Sequence, residues 1–148
     1  MMKILSFRLN GMLLGIETQF VKEINRNVEY TEVPLAPEKI VGLFNMRGQV
    51  VTLLNLAYYL GYEKTNDSPR NTCIILKTQG NRGQVGFLID TMEDIFDIED
   101  EQCEESPANS KGKVNRFMKC VAKLENELLL IIKNEAIFDY SWENNKEI

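Results

Sequence analysis

Short apolar and β-branched runs, bounded by Gly, Asn, Pro or charged residues, recur along the whole sequence and predict short strands. They fall at residues 4–9, 13–17, 40–46, 50–56, 73–77, 85–89 and 128–132. Asn10-Gly11 separates the first two runs and is the strongest short-range signal for a β-hairpin. Helical patterns are confined to residues 55–60, which end at Gly61, and to residues 134–138. The pattern predicts an all-β protein with short helical turns and a short C-terminal helix.

The two halves of the sequence share a repeated pattern of residue types, which we call the echo. Six, eight and nine residues after Gly15 come an apolar residue, an acid and Ile, and the same types follow Gly86 at the same offsets. The residues are Val21, Glu23 and Ile24 in the first instance, and Met92, Asp94 and Ile95 in the second. A proline and then a hairpin-like pair of runs, at 41–56 and at 117–132, come after each instance.

The echo predicts two small β-barrels of one design, packed side by side. The stretch 64–71 has the composition of a linker and falls between the two copies. We therefore place the first barrel at residues 10–62 and the second at residues 70–139. The strand at 3–9 is expected to pair with either barrel, and residues 140–148 are expected to form a polar tail.

The net charge and the residue composition exclude several classes of function. The 148 residues include 17 Lys and Arg, 22 Asp and Glu and no His, which gives a formal net charge of −5. Nucleic-acid binding is not expected, because non-specific affinity for phosphates comes from clustered Lys and Arg. The absence of His excludes Ser-His-Asp and Cys-His catalysis and His-ligated zinc. Since neither a signal peptide nor an apolar stretch of about 18 residues occurs, we expect a cytoplasmic protein that does not insert into a membrane.

The three cysteines are Cys73, Cys103 and Cys120. They are odd in number and widely spaced, and no Cys-x-x-Cys pair occurs among them. The spacing therefore predicts free thiols in a reducing compartment, with no disulfide framework and no metal knuckle.

Eight acidic residues and no Lys or Arg lie between Glu93 and Glu105. We interpret this run as a solvated loop face of the second barrel. Its alternative is electrostatic steering of a basic partner surface. The spacing of the acids does not match an EF-hand, so calcium binding is not expected.

The residues from Gly42 to Val51 read Gly-Leu-Phe-Asn-Met-Arg-Gly-Gln-Val-Val. Followed by Leu53-Leu54-Asn55-Leu56, they resemble the signature of the CheW-like chemotaxis coupling proteins. Further matching segments fall in the family's order at residues 7–9, 21–24, 33–37 and 86–95. The resemblance covers residues 4–138, and it departs from the family at Met46, where Leu is usual, at Thr52, where Pro is common, and at Asn55, where an acid is common.

The resemblance implies a single CheW-like domain over residues 1–148, built of two SH3-like five-stranded β-barrels. It implies a non-catalytic adaptor, without cofactor or metal, that couples methyl-accepting chemoreceptors to the CheA histidine kinase in bacterial chemotaxis. The implied partners are the cytoplasmic tip of the chemoreceptor and the regulatory domain of the kinase. The isolated chain is expected to be a monomer that is recruited from the cytoplasm to membrane-associated receptor arrays.

Two sets of site residues follow from the resemblance. The receptor face, in the groove between the barrels, comprises Val21, Glu23, Ile24, Arg47, Met92 and Ile95. The kinase face, on the first barrel, comprises Ile40, Gly42, Leu43 and Asn45, with Gly48 as a structural turn residue.

Each assignment has a purely structural alternative. Arg47 is either a partner contact or a solvated side chain that pairs with a carboxylate of its own barrel. Val21 and Ile24 are equally explained as core residues. Asn45 is expected to hold the backbone of its turn, and Gly42 is expected to meet a backbone requirement.

Other functions are also compatible with parts of the sequence. One is an adaptor of a CheA-type kinase pathway that controls an output other than motility. A second is a small-ligand-binding β-barrel, or a hydrolase that uses a carboxylate pair such as Asp90 and Asp94.

Overall fold

The computed structural model describes residues 1–61, 70–78, 83–105 and 116–137. Its strands are β1 (Met2–Leu9), β2 (Met12–Glu17), β3 (Val21–Asn25), β4 (Ile40–Met46), β5 (Gln49–Leu54), β6 (Thr72–Leu76), β7 (Gln84–Ile89), β8 (Thr91–Ile98), β9 (Cys103–Glu104), β10 (Met118–Lys123) and β11 (Leu128–Ile132). Helical segments are α1 (Leu56–Tyr59), the 3-10 turns Thr18–Phe20 and Asp100–Gln102, and residues 116–117 and 134–137. The predicted all-β class with short helical turns is confirmed. The predicted polar tail at 140–148 lies outside the described residues.

The strands form two sheets. One has five strands in the order β3-β6-β7-β5-β4, and the other has six in the order β8-β1-β2-β11-β10-β9. Neighbouring strands are antiparallel except for β5 and β7 in the five-stranded sheet and β2 and β11 in the six-stranded sheet, which are parallel. Because β9 has only two residues, both sheets share one five-strand design with a single parallel pair.

The two sheets exchange a strand. β3 follows β2 in the sequence but pairs with β6 of the other sheet, while β8 follows β7 but pairs with β1. The sheets therefore do not follow the predicted ranges 10–62 and 70–139. β6 and β7 complete the sheet of β3 to β5, and β1 and β2 complete the sheet of β8 to β11. The prediction differs because it assumed that consecutive strands stay together, whereas the chain crosses over after β2 and again after β7.

The register of the exchanged strands explains the echo in the sequence. Val21 lies opposite Leu76, as Met92 lies opposite Phe7. The two isoleucines of the echo, Ile24 and Ile95, pair with Ile74 and Leu5. In both sheets this partner lies two residues before the partner of the first apolar residue, so the two registers match. The two glycines also correspond, since Gly15 pairs in parallel with β11 and Gly86 pairs in parallel with β5.

The hydrophobic core has three parts. One cluster lies within the six-stranded sheet and one within the five-stranded sheet, and the largest cluster takes side chains from both sheets. In that shared core, Phe7 of β1 contacts Phe87 of β7, with ring centroids 5.5 Å apart. Tyr59 of α1 stacks on Phe117 at 5.2 Å. Burial of these aromatic side chains holds the two sheets together.

Local signals fix the turns as the sequence predicts. Asn10-Gly11 and Arg47-Gly48 each form a two-residue hairpin turn in which both residues have positive φ. Asn55 caps α1 by accepting a hydrogen bond from the Tyr58 amide at 3.3 Å.

The expectation of free thiols is wrong for two of the three cysteines. Cys103 of β9 and Cys120 of β10 form a disulfide, with Cα atoms 5.4 Å apart. Cys73 is free and buried. The two cysteines are 17 residues apart in the sequence. They are brought together because β9 pairs with β10, and this strand pairing is not visible in the local sequence.

Candidate functional site

Arg47 occupies the turn between β4 and β5 and reaches back to β3. Its Nη2 atom donates to Glu23 Oε1 at 2.6 Å, and its side chain remains 70% exposed. The predicted alternative, pairing with a carboxylate of the same barrel, is therefore what the structure shows. Most of the Arg47 side chain stays exposed, so the ion pair with Glu23 does not cover it.

The apolar residues of the receptor face lie on the two exchanged strands, both of which are sheet edges. Val21 and Ile24 on β3 are half-buried and pack against the shared core, and so does Met92 on β8. Ile95 is 59% exposed and lies outside that core cluster. Three of the four side chains are thus partly core residues with an accessible remainder, and Ile95 is a surface residue.

The kinase face lies on β4. Ile40 is half-buried against the shared core, and Leu43 is half-buried. Gly42 is buried, and a Cβ atom there would lie 2.5 Å from the Thr31 carbonyl oxygen, so glycine is required for the close approach of two backbones. Asn45 holds the turn as expected, because its Oδ1 accepts from the Gly48 amide at 2.9 Å.

An open cavity of about 540 Å³ adjoins β4. Its apolar part is formed by Leu43, Phe44 and Val50, and Val50 is 57% exposed. Its polar lining is Asn25, Asn27, Glu29, Thr31 and Asn45. Sequence reasoning identified only Leu43 and Asn45 here, because the chain segment after β3 folds back along β4 through a pairing of Thr31 with Leu43 that no local pattern reveals.

A second ion-pair network, on the six-stranded sheet, was not predicted. Arg8 of β1 donates to Glu93 of β8 at 3.0 Å and to both carboxylate oxygens of Glu127 at 2.8 and 2.5 Å. The hydrogen bonds to Arg8 lower the pKa of the Glu127 carboxyl. The same bonds, that to Glu127 first, raise the pKa of Arg8 above its ordinary value.

The acidic run is only partly a loop. Its first residues lie on β8, so the interpretation as a loop face is wrong for residues 93–98, although all eight carboxylates are exposed. An exposed edge strand tolerates charged side chains on its outer positions, and charge there opposes pairing with other chains.

Of the two carboxylates considered for hydrolysis, that of Asp90 is engaged in hydrogen bonds that join two parts of the fold. Asp90 accepts from Arg70 Nε at 2.5 Å and from the Asn10 amide at 2.9 Å, which ties the first hairpin turn to the start of β6. Asp94 is exposed. Within the described ranges, no group of three or more Cys, Asp or Glu side chains has an arrangement suited to a metal ion, and no helix has the length and apolarity to cross a membrane.

The chain thus consists of two strand-exchanged sheets whose edge strands β3 and β8 carry partly accessible apolar side chains. The family model described as a CheW-like domain matches residues 3–141, so the chain belongs to the CheW-like family. It is a chemotaxis adaptor that couples receptors to CheA, and it is not an enzyme.

Individual relatives agree with this placement. The chain is 26% identical to a probable chemotaxis protein CheW of Rhizobium etli over 136 residues, which covers 92% of this chain and 86% of the relative. It is 26% identical to the chemotaxis protein CheW of Bacillus subtilis over 137 residues, with 93% and 86% covered. The crystal structure of the scaffolding protein TtCheW from Thermoanaerobacter tengcongensis superimposes with a TM-score of 0.76 at 27% identity, over 89% of this chain and 84% of that one.

Proposed function

We propose that the chain couples its two partners through separate surfaces. The receptor face takes the cytoplasmic tip of the chemoreceptor, and the kinase face takes the regulatory domain of CheA. Binding to the receptor tip recruits the chain to membrane-associated arrays. The observation that carries this proposal is the strand exchange, which gives two edge strands the same apolar-x-acid-Ile sequence in the same register.

The receptor face has the chemistry that an amphipathic helix requires. Val21, Ile24 and Met92 are anchored in the shared core and leave part of each side chain accessible. Ile95 adds an apolar side chain that is mostly exposed. A helix that presents apolar residues at i, i+3 and i+4 can bury these surfaces, while Arg47 meets its polar edge.

The kinase face has a different chemistry. Leu43 and Val50 give the cavity beside β4 an apolar part, and amide side chains surround it. Such a surface suits a partner that inserts an apolar side chain and makes hydrogen bonds around it. Gly42 allows the backbone of Thr31 to lie close to β4, and Thr31 and Leu43 exchange backbone hydrogen bonds of 2.8 and 2.9 Å beside this surface.

Each interface is expected to be small and individually weak. Interfaces below about 1,200 Å² are typical of transient complexes. Many copies linked in an array raise the effective affinity without any new contact. An adaptor with two weakly binding surfaces is therefore suited to an array, in which many copies of the same weak contacts stabilise the assembly.

The two faces are tested by substituting each in turn. Val21→Lys combined with Ile95→Lys should abolish the NMR line broadening that a receptor-tip fragment causes, because lysines replace apolar contacts on both exchanged strands. The same double variant should bind the CheA regulatory domain like the unmodified chain. The matched control is Leu43→Lys, which should weaken kinase binding and leave the receptor titration unchanged.

The opposite pattern contradicts the proposal. If the double variant loses the kinase domain and keeps the receptor tip, the two faces are assigned the wrong way round. If it loses neither while remaining folded, the exchanged strands are not a partner surface.

A further inference from the structure

The loop before β4 projects an apolar side chain into solvent. Leu35 has a relative exposure of 104%, and its neighbour Val33 is also exposed. We propose that this loop, Val33-Pro34-Leu35-Ala36, is a docking projection that inserts Leu35 into an apolar pocket rimmed by Lys or Arg on the CheA regulatory domain. This inference rests on the proposed function and extends the kinase face beyond Ile40, the first residue of β4, into the preceding loop.

The backbone of the loop is strained at Leu35, the residue whose side chain is exposed. Leu35 has φ of +64°, a left-handed conformation that glycine or asparagine normally adopts. Pro34 precedes it, and the Ala36 amide donates to the Val33 carbonyl at 3.2 Å, as in a type II turn. Glycine fits the third position of such a turn without strain, so a leucine there costs conformational free energy. Strain of this kind, at a residue that packs on nothing in the described chain, is a feature of sites whose contacts form on binding.

Both ends of the loop are fastened to β4. On one side, Thr31 and Leu43 exchange backbone hydrogen bonds of 2.8 and 2.9 Å. On the other side, the Ile40 amide donates to the Pro37 carbonyl at 2.9 Å. The projection is therefore held in place by the strand that carries the kinase face, and the two surfaces are continuous.

The charge around the loop indicates the rim of the pocket. Glu29, Glu32 and Glu38 are all exposed, and no Lys or Arg lies between Asn27 and Glu38 in the sequence. Lys39, the next cation, is buried. An apolar tip among carboxylates is complementary to an apolar pocket with a cationic rim, and it is repelled by anionic lipid or nucleic acid.

Titration of the full chain with the purified CheA regulatory domain tests the projection. Leu35→Gln should weaken binding about tenfold, because the apolar insertion is lost. The matched control is Leu128→Gln, which removes another exposed leucine on the six-stranded sheet and should leave the affinity unchanged.

The substitution Leu35→Gly separates docking from a structural role. Glycine relieves the positive φ, so the thermal midpoint of the free chain should stay equal or rise while kinase binding weakens about tenfold. A lower midpoint would mean that the chain itself covers Leu35, which overturns the proposal.

The cationic rim has its own test. Glu32→Gln combined with Glu38→Gln should weaken binding about threefold at low salt and converge with the unmodified chain at high salt. An unchanged affinity at low salt overturns the assignment of the rim.

The failures are distinguishable. If the unmodified chain does not bind the kinase domain, the proposed kinase face fails, and the docking loop fails with it. If the unmodified chain binds and both Leu35 variants bind equally well, only the docking loop is overturned.

Discussion

The turns at the ends of the two equivalent hairpins use opposite charges. In the five-stranded sheet, the β4–β5 turn supplies a cation, Arg47, to a single carboxylate, Glu23 of β3. In the six-stranded sheet, the β10–β11 turn supplies an anion, Glu127, to Arg8 of β1, which also binds Glu93 of β8. Both arrangements tie a hairpin turn to the other strands of its sheet, and they do so with the signs reversed.

The difference separates a surface open to a partner from a surface that is internally satisfied. Within the described residues, Arg47 pairs with Glu23 through one nitrogen and keeps most of its side chain in solvent, so its remaining donors are available to a partner. Arg8 directs three of its donors at two carboxylates. Repetition of the fold therefore does not imply repetition of function, and we expect partner binding through an arginine only in the five-stranded sheet.

The largest expected effect concerns the two equivalent glycines. A Cβ at Gly86 would lie 2.9 Å from the Ile74 carbonyl oxygen, which belongs to the backbone of a buried strand and cannot move aside. A Cβ at Gly15 would lie 2.4 Å from Ile4 Cγ2 and 3.1 Å from Leu129 Cδ1, and these side-chain atoms can shift by repacking, whereas the backbone of β6 cannot. We expect Gly86→Ala to lower the free energy of unfolding by about 3 kcal/mol and Gly15→Ala by about 1 kcal/mol.

Urea denaturation of both variants measures this difference. Gly83→Ala is the matched control, since its Cβ would meet nothing within 4 Å, and it should leave stability unchanged. Equal losses at Gly15 and Gly86 would show that the two parallel pairs are equally tight and would remove this asymmetry.

The second prediction compares the two arginines. Arg47→Asp should weaken receptor-tip binding by about 2 kcal/mol, roughly 30-fold, and leave the chain folded, because an exposed ion pair contributes little to stability. Arg8→Gln should leave binding unchanged and lower the thermal midpoint, because two carboxylates lose their partner. Unchanged affinity of Arg47→Asp for both receptor tip and kinase domain would return Arg47 to a structural role.

The third prediction compares thiols in the two sheets. Burial in the five-stranded sheet raises the pKa of Cys73 to about 12, so almost no thiolate exists at neutral pH. Native chain treated with iodoacetamide should therefore remain unmodified at Cys73, as read by intact mass, and should react there after unfolding. Cys103 and Cys120 should become reactive only after reduction. Rapid modification of Cys73 in the native chain would contradict the close packing of this sheet.

The smallest effect is the titration of Glu127. Hydrogen bonding to Arg8 holds the pKa of this carboxyl below its ordinary value of 4.5. Its contribution to stability is therefore present above that ordinary value and is lost as the pH falls through the lowered folded-state pKa. Carboxyl NMR should show the lowered pKa in the unmodified chain and its return toward 4.5 in Arg8→Gln. The same pKa in both chains would show that the hydrogen bonds to Arg8 are not populated in solution.

Local features of the fold could be predicted from the sequence. The turns at Asn10-Gly11 and Arg47-Gly48 and the helix cap at Asn55 each depend on residues that are close in the chain. The long-range pairing could not be predicted in the same way. β3 and β8 escaped the apolar pattern because edge strands expose one side and carry charges such as Lys22 and the acids of β8.

The same distinction between local and long-range features applies to the candidate site. Its residue types and their correspondence between the copies are visible in the sequence as the repeated apolar-x-acid-Ile pattern. The contacts are not visible, since the pair of Arg47 with Glu23 spans 24 residues and that of Arg8 with Glu127 spans 119. Leu35 was part of a matching segment, but its exposure and positive φ are properties of the folded loop.

Simultaneous binding tests the central claim of two separate partner surfaces most directly. A receptor-tip fragment is titrated into the full chain, first alone and then with the CheA regulatory domain at saturation, and the affinity and the mass of the complex are measured. Separate surfaces predict an unchanged affinity for the receptor tip and a ternary complex that contains all three components. Loss of receptor binding in proportion to the kinase domain added, with only binary complexes detected, would contradict the account.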